Sequence, residues 1–205
     1  MTAVSVVDYG IGNIQSVVNA CRRVGVVPAV ARTGDELAAQ RPDRIILPGV
    51  GAIGEALRLL RQRELDTALG EHVLDRCVPF LGICVGLQML VETCEEFGAH
   101  EGLGWIPGAV RRLAPEGSGV RLPHVGWNTV SAEPDDPLFR GIEDEHFYFV
   151  HTCAAERVDD YVIGWTDYAG PFVSAVRRDH IAGVQFHPEK SSAAGEALLK
   201  CFLDA

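Results

Sequence analysis

From Pro79 to Gln88 the chain reads Pro-Phe-Leu-Gly-Ile-Cys-Val-Gly-Leu-Gln, a short apolar stretch that leads through a cysteine into a helical pattern. Glycine stands two residues before Cys84 and two residues after it. That spacing predicts a strand turning abruptly into a helix at Cys84, a turn so tight that the positions on either side must lack bulk. A thiol at its apex meets the positive end of the helix dipole, which favours an anionic sulfur. The same residues also fit a buried structural cysteine between two glycines, because unpaired cysteine packs as a small apolar residue. Residues elsewhere in the chain decide between the two.

Strands and helices alternate around this turn. Continuous Val/Ile/Leu runs predict strands at 3–7, 26–31, 44–47 and 79–83, and amphipathic spacing predicts helices at 14–23, 52–61 and 86–93. Apolar strands interleaved with helices imply a parallel sheet covered on both faces. Past residue 105 the pattern changes to strand candidates at 109–113, 147–151, 161–165, 172–176 and 181–186, where antiparallel or mixed pairing is expected, before a last helix at 192–203. Pro, Gly, Ser and Asp mark surface loops at 114–121 and 131–137. The expected fold is α/β, a doubly wound, largely parallel open sheet flanked by helices with an antiparallel or mixed section in its second half. Residues 1–205 are expected to form one domain. Sheets of this kind bind ligands at the carboxyl ends of their strands.

Charge and cysteine usage narrow the partners. Eighteen basic against 28 acidic side chains leave a formal charge of -10, which repels phosphate backbones and anionic lipid at long range. Nucleic acid and membrane partners are therefore not expected. Six cysteines carry no CxxC pair and no CxxH spacing, so no metal site is expected and a reduced compartment fits. The N-terminus lacks a basic start and a long apolar run, and no stretch has membrane-spanning length. A cytoplasmic location is expected.

Chemistry returns near the C-terminus. In Gly-Val-Gln-Phe-His-Pro-Glu-Lys-Ser, at 183–191, Pro188 biases His187 toward an extended backbone. His187 and Glu189 then project to one side, where the carboxylate can orient the imidazole. A nucleophilic thiol needs a base for its proton, and the base needs a third group to fix its tautomer. Cys84, His187 and Glu189 fill those three roles. The developing oxyanion needs amide donors, one directly after the nucleophile at Val85 and another on a neighbouring loop. Pro-Gly-Val-Gly at 48–51 follows the strand at 44–47 and supplies candidates in Gly49, Val50 and Gly51, with glycines that permit a peptide flip. The run Asp-Tyr-Gly-Ile-Gly-Asn at 8–13 could suggest a dinucleotide loop, but its third glycine is absent, with Gln15 in that place, and no cofactor is expected.

Taken together, the Gly-x-Cys-x-Gly turn with Gln88, the Pro-Gly-x-Gly loop and Gly-Val-Gln-Phe-His-Pro-Glu resemble the class I glutamine amidotransferases. Four further segments, at 8–13, 123–128, 147–151 and 188–191, look like those of the glutaminase subunits of imidazole glycerol phosphate synthase, across nearly the whole chain. The resemblance implies that Cys84 attacks the side-chain amide of L-glutamine, giving a thioester and ammonia, with His187 as base and then acid and Glu189 orienting it. It implies glutamine contacts at Gln88, Glu96, His151 and Thr152, as well as Gly51. It also implies a heterodimer with a (β/α)8-barrel cyclase that uses the ammonia in histidine biosynthesis, with Asn13, Trp127, Tyr148 and Lys190 toward that partner. Read by themselves, Trp127 and Tyr148 fit core aromatics equally well, Lys190 an exposed lysine, and Glu96 a solvated acidic face with Glu92 and Glu95. Two departures stand out: His-Thr-Cys at 151–153 where relatives commonly read His-Ser-Tyr, and Val-Gly-Leu at 85–87 where Leu-Gly-Met is usual. The alternatives are the glutaminase subunit of an anthranilate or aminodeoxychorismate synthase, or a non-catalytic regulatory module on the same fold.

Overall fold

A computed structural model describes residues 2–114, 119–168 and 170–205. Of the loop expected at 114–121, positions 115–118 lie outside the described residues. The first half builds β1 (Val4–Val7), α1 (Ile14–Arg23), β2 (Ala29–Ala31), α2 (Gly34–Gln40), β3 (Arg44–Gly49), α3 (Ile53–Gln62), α4 (Leu65–Gly70), β4 (Phe80–Cys84) and α5 (Val85–Gln88). The second half adds β5 (Val91–Glu95), β6 (Ala99–Glu101), β7 (Ile106–Arg112), β8 (His124–Thr129), β9 (Ser131–Ala132), β10 (His146–His151), β11 (Cys153–Glu156), β12 (Val162–Asp167), β13 (Pro171–Arg178), β14 (Ile181–Val184) and α6 (Ser192–Asp204).

The main sheet has the order β2-β1-β3-β4-β14-β13-β12-β9. Its first five strands run parallel, and β13, β12 and β9 add antiparallel to the far edge. Every residue of β1, β4 and β14 is buried, as a sheet covered on both faces requires. Helix α1 packs on α6, and α4 on α2 and α3. Two smaller sheets, β10-β8 and β11-β7-β5-β6, stand beside the main one.

The helix expected at 86–93 is one turn long. After Val85–Gln88 the chain leaves for β5, whose Val91, Thr93 and Cys94 pair in parallel with Ile106, Ala109 and Val110 of β7. A long-range sheet partner overrides the local helical pattern there. The loop expected at 131–137 contains the edge strand β9, and α2 and α4 are further elements without a counterpart among the expected ones. Thr33 caps α2: its hydroxyl accepts from Glu36 N at 3.2 Å, and the Glu36 carboxylate reaches past the cap to accept from Arg32 N at 2.7 Å.

Candidate active site

The turn at Cys84 is as tight as its glycines foretell. Cys84 has φ 56° and ψ -108°, a region that L residues avoid unless the surroundings impose it. A Cβ on Gly82 would stand 2.6 Å from Gly86 O, and one on Gly86 would overlap Leu47 O. The apex lies at the carboxyl end of β4, between β3 and β14. Because α5 has only four residues, it supplies little dipole, and the sulfur's electrostatic partner comes from across the sheet.

That partner is His187, three residues past the end of β14. Its backbone is extended ahead of Pro188, and Pro188–Lys190 form a 3-10 turn that carries Glu189 back under the ring. His187 Nδ1 lies 2.8 Å from Glu189 Oε1, with both side chains almost fully buried. Nε2 is buried and makes no hydrogen bond of good geometry among the described residues. Burial alone lowers the pKa of the imidazole; the negative charge of the nearby Cys84 sulfur, with Glu189 behind it, outweighs that and holds the ring up to about 10. An imidazole so placed can take the proton of the thiol beside it and later give one to a departing group, which is what a cysteine nucleophile needs.

Beside Cys84 opens a cavity of about 130 Å³. Of the residues anticipated from sequence, Val50, Gly51, Val85, Gln88, Glu96, His151 and Thr152 all line it, together with Val150 and Cys153. Gly49 lies behind the lining: a Cβ there would stand 2.6 Å from Tyr9 Oη and 2.8 Å from Val85 Cβ. Glu96 Oε2 accepts from Ile53 N at 2.9 Å, which fixes the carboxylate at the start of α3. The Gln88 amide is committed to the wall, donating to Cys153 O at 2.9 Å and Gln185 Oε1 at 3.0 Å. The His151 ring turns to Cys153 O and His124, so its backbone is what it offers a ligand.

Trp127, Tyr148 and Lys190 gather away from this cavity on one surface. Trp127 is 52 % exposed, which rejects the core reading of its indole. Its ring meets Tyr148 edge-on at 6.2 Å, and Lys190 Nζ lies 5.8 Å above the Tyr148 ring. Asn13 is exposed at the start of α1, which packs against the Pro188–Lys190 turn. His187 N donates to Tyr148 O at 2.9 Å, so this surface and the imidazole share a backbone link.

Two residues at the site carry no role in the sequence reading. Gln185 Nε2 donates to Cys84 Sγ at 3.6 Å; its signal was its place in the Gly-Val-Gln-Phe-His run. Tyr9 is fully buried, and its hydroxyl has no hydrogen-bond partner of good geometry among the described residues. Burial first and the Cys84 charge second push that phenol well above its ordinary range, so it stays protonated beside the loop at 49–50. Among the described residues no cluster of three or more metal-ligating side chains occurs. No helix there is long and apolar enough to cross a membrane.

Residues 5–205 match the family model for glutamine amidotransferase class-I. The chain is 42% identical over 211 residues to the imidazole glycerol phosphate synthase subunit HisH of Caulobacter vibrioides, covering 100% of this chain and 99% of that protein. It is 44% identical over 203 residues to the HisH subunit of Bdellovibrio bacteriovorus, with 97% and 98% covered. Among solved structures, a glutamine amidotransferase crystal structure superposes with TM-score 0.77 at 19% identity, covering 98% of this chain and 97% of that one. PurLQS from Thermotoga maritima superposes at 0.74 and 18% identity, covering 100% and 99%. At such identities these two speak for the fold, whereas the full-length sequence relatives speak for descent: the chain belongs to the class I glutamine amidotransferases, among the HisH subunits of imidazole glycerol phosphate synthase.

Proposed function

We propose that this glutamine amidotransferase hydrolyses glutamine through a thioester on Cys84 and passes the ammonia to a (β/α)8-barrel cyclase of histidine biosynthesis. The observation that carries the reading is the buried His187–Glu189 pair at 2.8 Å, whose imidazole pKa is raised by the Cys84 sulfur standing at a strained, glycine-flanked apex. The anionic sulfur attacks the side-chain carbonyl carbon of glutamine. Val85 N–H and an amide N–H of the loop at 49–51 donate to the oxyanion as it forms. When the intermediate collapses, the C–N bond breaks and His187 Nε2 gives its proton to the departing nitrogen, releasing ammonia. The now neutral ring takes a proton from water, which attacks the thioester; the C–S bond breaks and glutamate leaves. Glu189 holds Nδ1–H throughout, so that Nε2 faces the reacting atoms. Glu96, fixed by Ile53 N, is the partner for the substrate ammonium.

The surface of Trp127, Tyr148 and Lys190, with Asn13 nearby, is the face for the cyclase. An exposed tryptophan against a tyrosine is the kind of aromatic anchor that carries binding energy at interfaces. The glycines at 49 and 51 permit a peptide flip, which implies low glutaminase activity in the free subunit, with the oxyanion hole completed on docking. Mixing the purified chain with a barrel cyclase and its ribotide substrate tests the reading. Glutamine-dependent synthesis and a rise in glutamine hydrolysis are expected. Activation by a chorismate-using synthase subunit, with none by the cyclase, rejects the assignment.

A further inference from the structure

Behind the wall of the cavity runs a line of hydrogen bonds. His124 and His151 face each other across the antiparallel pair β8 and β10, and both rings are buried. His151 Nδ1 lies 2.9 Å from Cys153 O, His151 Nε2 lies 3.0 Å from His124 Nδ1, and His124 Nε2 lies 3.4 Å from Asn128 Nδ2. A carbonyl only accepts, so His151 Nδ1 carries the hydrogen; a neutral imidazole has one N–H, so His151 Nε2 accepts. His124 Nδ1 must then be the donor, and His124 Nε2 accepts from Asn128. The Asn128 amide is oriented independently: Nδ2 donates to Asp167 O at 2.8 Å and Oδ1 accepts from Thr129 N at 2.8 Å. A proton added to either ring would set N–H against N–H. Burial separately lowers both rings to about 4. Tyr168 and Phe149 stack on His124 with centroids 3.9 and 4.9 Å away, which fixes its plane.

Beyond Cys153 O the line continues to the sulfur. Gln88 Nε2 donates both to that carbonyl and to Gln185 Oε1, at 2.9 and 3.0 Å. Because Gln185 Oε1 is the acceptor, its Nε2 is the end that faces Cys84 Sγ, at 3.6 Å.

We propose that Asn128, His124, His151, Gln88 and Gln185 form one connected hydrogen-bond line from strand β8 to the nucleophile, its donors running from Asn128 to the Cys153 carbonyl and from Gln88 both to that carbonyl and, through Gln185, to the sulfur, in which Gln185 steadies the sulfur and His124 holds the wall of the glutamine pocket. Both are positioning residues, acting through Cys84 and through the Cys153 carbonyl. Neighbouring residues of a strand point to opposite faces, so Asn128 joins the line while Trp127 stands exposed on the other side. The proposal rests on the reading of Cys84 as the nucleophile, but its hydrogen-bond direction does not.

The direction is read first, on the full chain labelled with ¹⁵N. Both rings are expected as neutral Nδ1–H tautomers at pH 7; an Nε2–H tautomer in either overturns the proposal whatever the enzyme does. Two substitutions then read the consequences. Gln185→Met removes the donor at the sulfur: alkylation of the Cys84 peptide by iodoacetamide is expected to slow about tenfold at neutral pH, the equivalent of ~1.4 kcal/mol. Its pH profile moves upward. An unchanged rate and profile rejects the role of Gln185. His124→Phe keeps the stack and breaks the line; with cyclase present, the KM for glutamine is expected to rise about tenfold while kcat changes less than twofold. An unchanged KM rejects the role of His124. Should that variant fail to fold, Asn128→Asp offers only acceptors to His124 Nε2 while His151 Nε2 still takes the Nδ1 hydrogen, so His124 is expected to keep Nδ1–H and gain Nε2–H, an imidazolium at pH 7; loss of Nδ1–H, or a ring that stays neutral, contradicts the line. Loss of glutamine turnover in every assay, with both tautomers as expected, would count against the proposed function alone.

Discussion

Gly82 sits in the central strand β4 with an ordinary strand conformation, so replacing it by alanine adds one methyl group and no backbone strain. That methyl would stand 2.6 Å from Gly86 O, 2.7 Å from Gly86 C and 2.8 Å from Leu87 N. Ordinary contacts begin near 3.4 Å, so each is 0.6–0.8 Å too close, and all three are backbone atoms that cannot swing aside. Overpacking of this kind costs about 1–3 kcal/mol, and because the obstacle is a backbone peptide group we expect the upper end. For a chain of this size, ~3 kcal/mol lowers Tm by roughly 6–12 °C. Gly70 is the matched control: it lies at the end of α4 with helical φ -55° and nothing within 4 Å of an added Cβ. Alanine there is expected to stabilise by about 0.5–1 kcal/mol. Thermal unfolding and glutamine hydrolysis, measured on both variants, test the argument. A Gly82→Ala protein that melts with the wild type and keeps full turnover refutes the claim that this turn is set by close backbone approach.

Three other outcomes follow from the site. Glu189→Gln keeps the shape but removes the charge beside His187 Nδ1, and kcat with cyclase present should fall by about 10- to 150-fold with little change in KM, the effect of losing a hydrogen bond to a charged group; less than a twofold loss contradicts the orienting role. His124 and His151 are both depressed to about 4 from an ordinary 6.5, so in the window between, the unfolded chain takes up protons that the folded one does not. Stability should therefore fall as pH drops from 6.5 toward 4, by about 2–4 kcal/mol at pH 5 for the pair. Urea unfolding at pH 7.5 and 5 measures it, and His124→Phe should show the smaller loss. A glutamine-like electrophile should label Cys84, while Cys21, Cys94 and Cys153, whose thiols burial pushes up to about 11, 12 and 11, stay unmodified; peptide mapping that finds the label chiefly at Cys94 or Cys153 opposes the assignment. Cys77 is exposed and serves as the control for non-specific alkylation.

The parts of the fold legible in the sequence are those fixed by local pattern. The Val/Ile run of β1 and the Arg-Ile-Ile-Leu start of β3 lead into helices with one apolar face, so strand, helix and parallel sheet could be read together. Gly82 and Gly86 marked the turn because steric demand at fixed spacing is written directly as glycine. The segment after Cys84 misled, because Leu87 to Val91 is apolar enough to continue a helix and only the pairing of β5 with β7 tells otherwise. His187 and Glu189 were legible as neighbours in sequence, two residues apart. Gln185 was not, because its role depends on Gln88, 97 residues away, and on Cys84, 101 residues away. Asn128, His124 and His151 likewise meet only because β8 and β10 pair in one register.

Trapping the intermediate tests the central claim most directly. The chain, mixed with its cyclase and glutamine, is quenched in acid during turnover and the peptides are weighed. A glutamyl group on the Cys84 peptide, absent from Cys84→Ala, is the expected result, together with loss of glutamine-dependent ammonia release in that variant. Undiminished release by Cys84→Ala, or a glutamyl group found on another cysteine, contradicts the account.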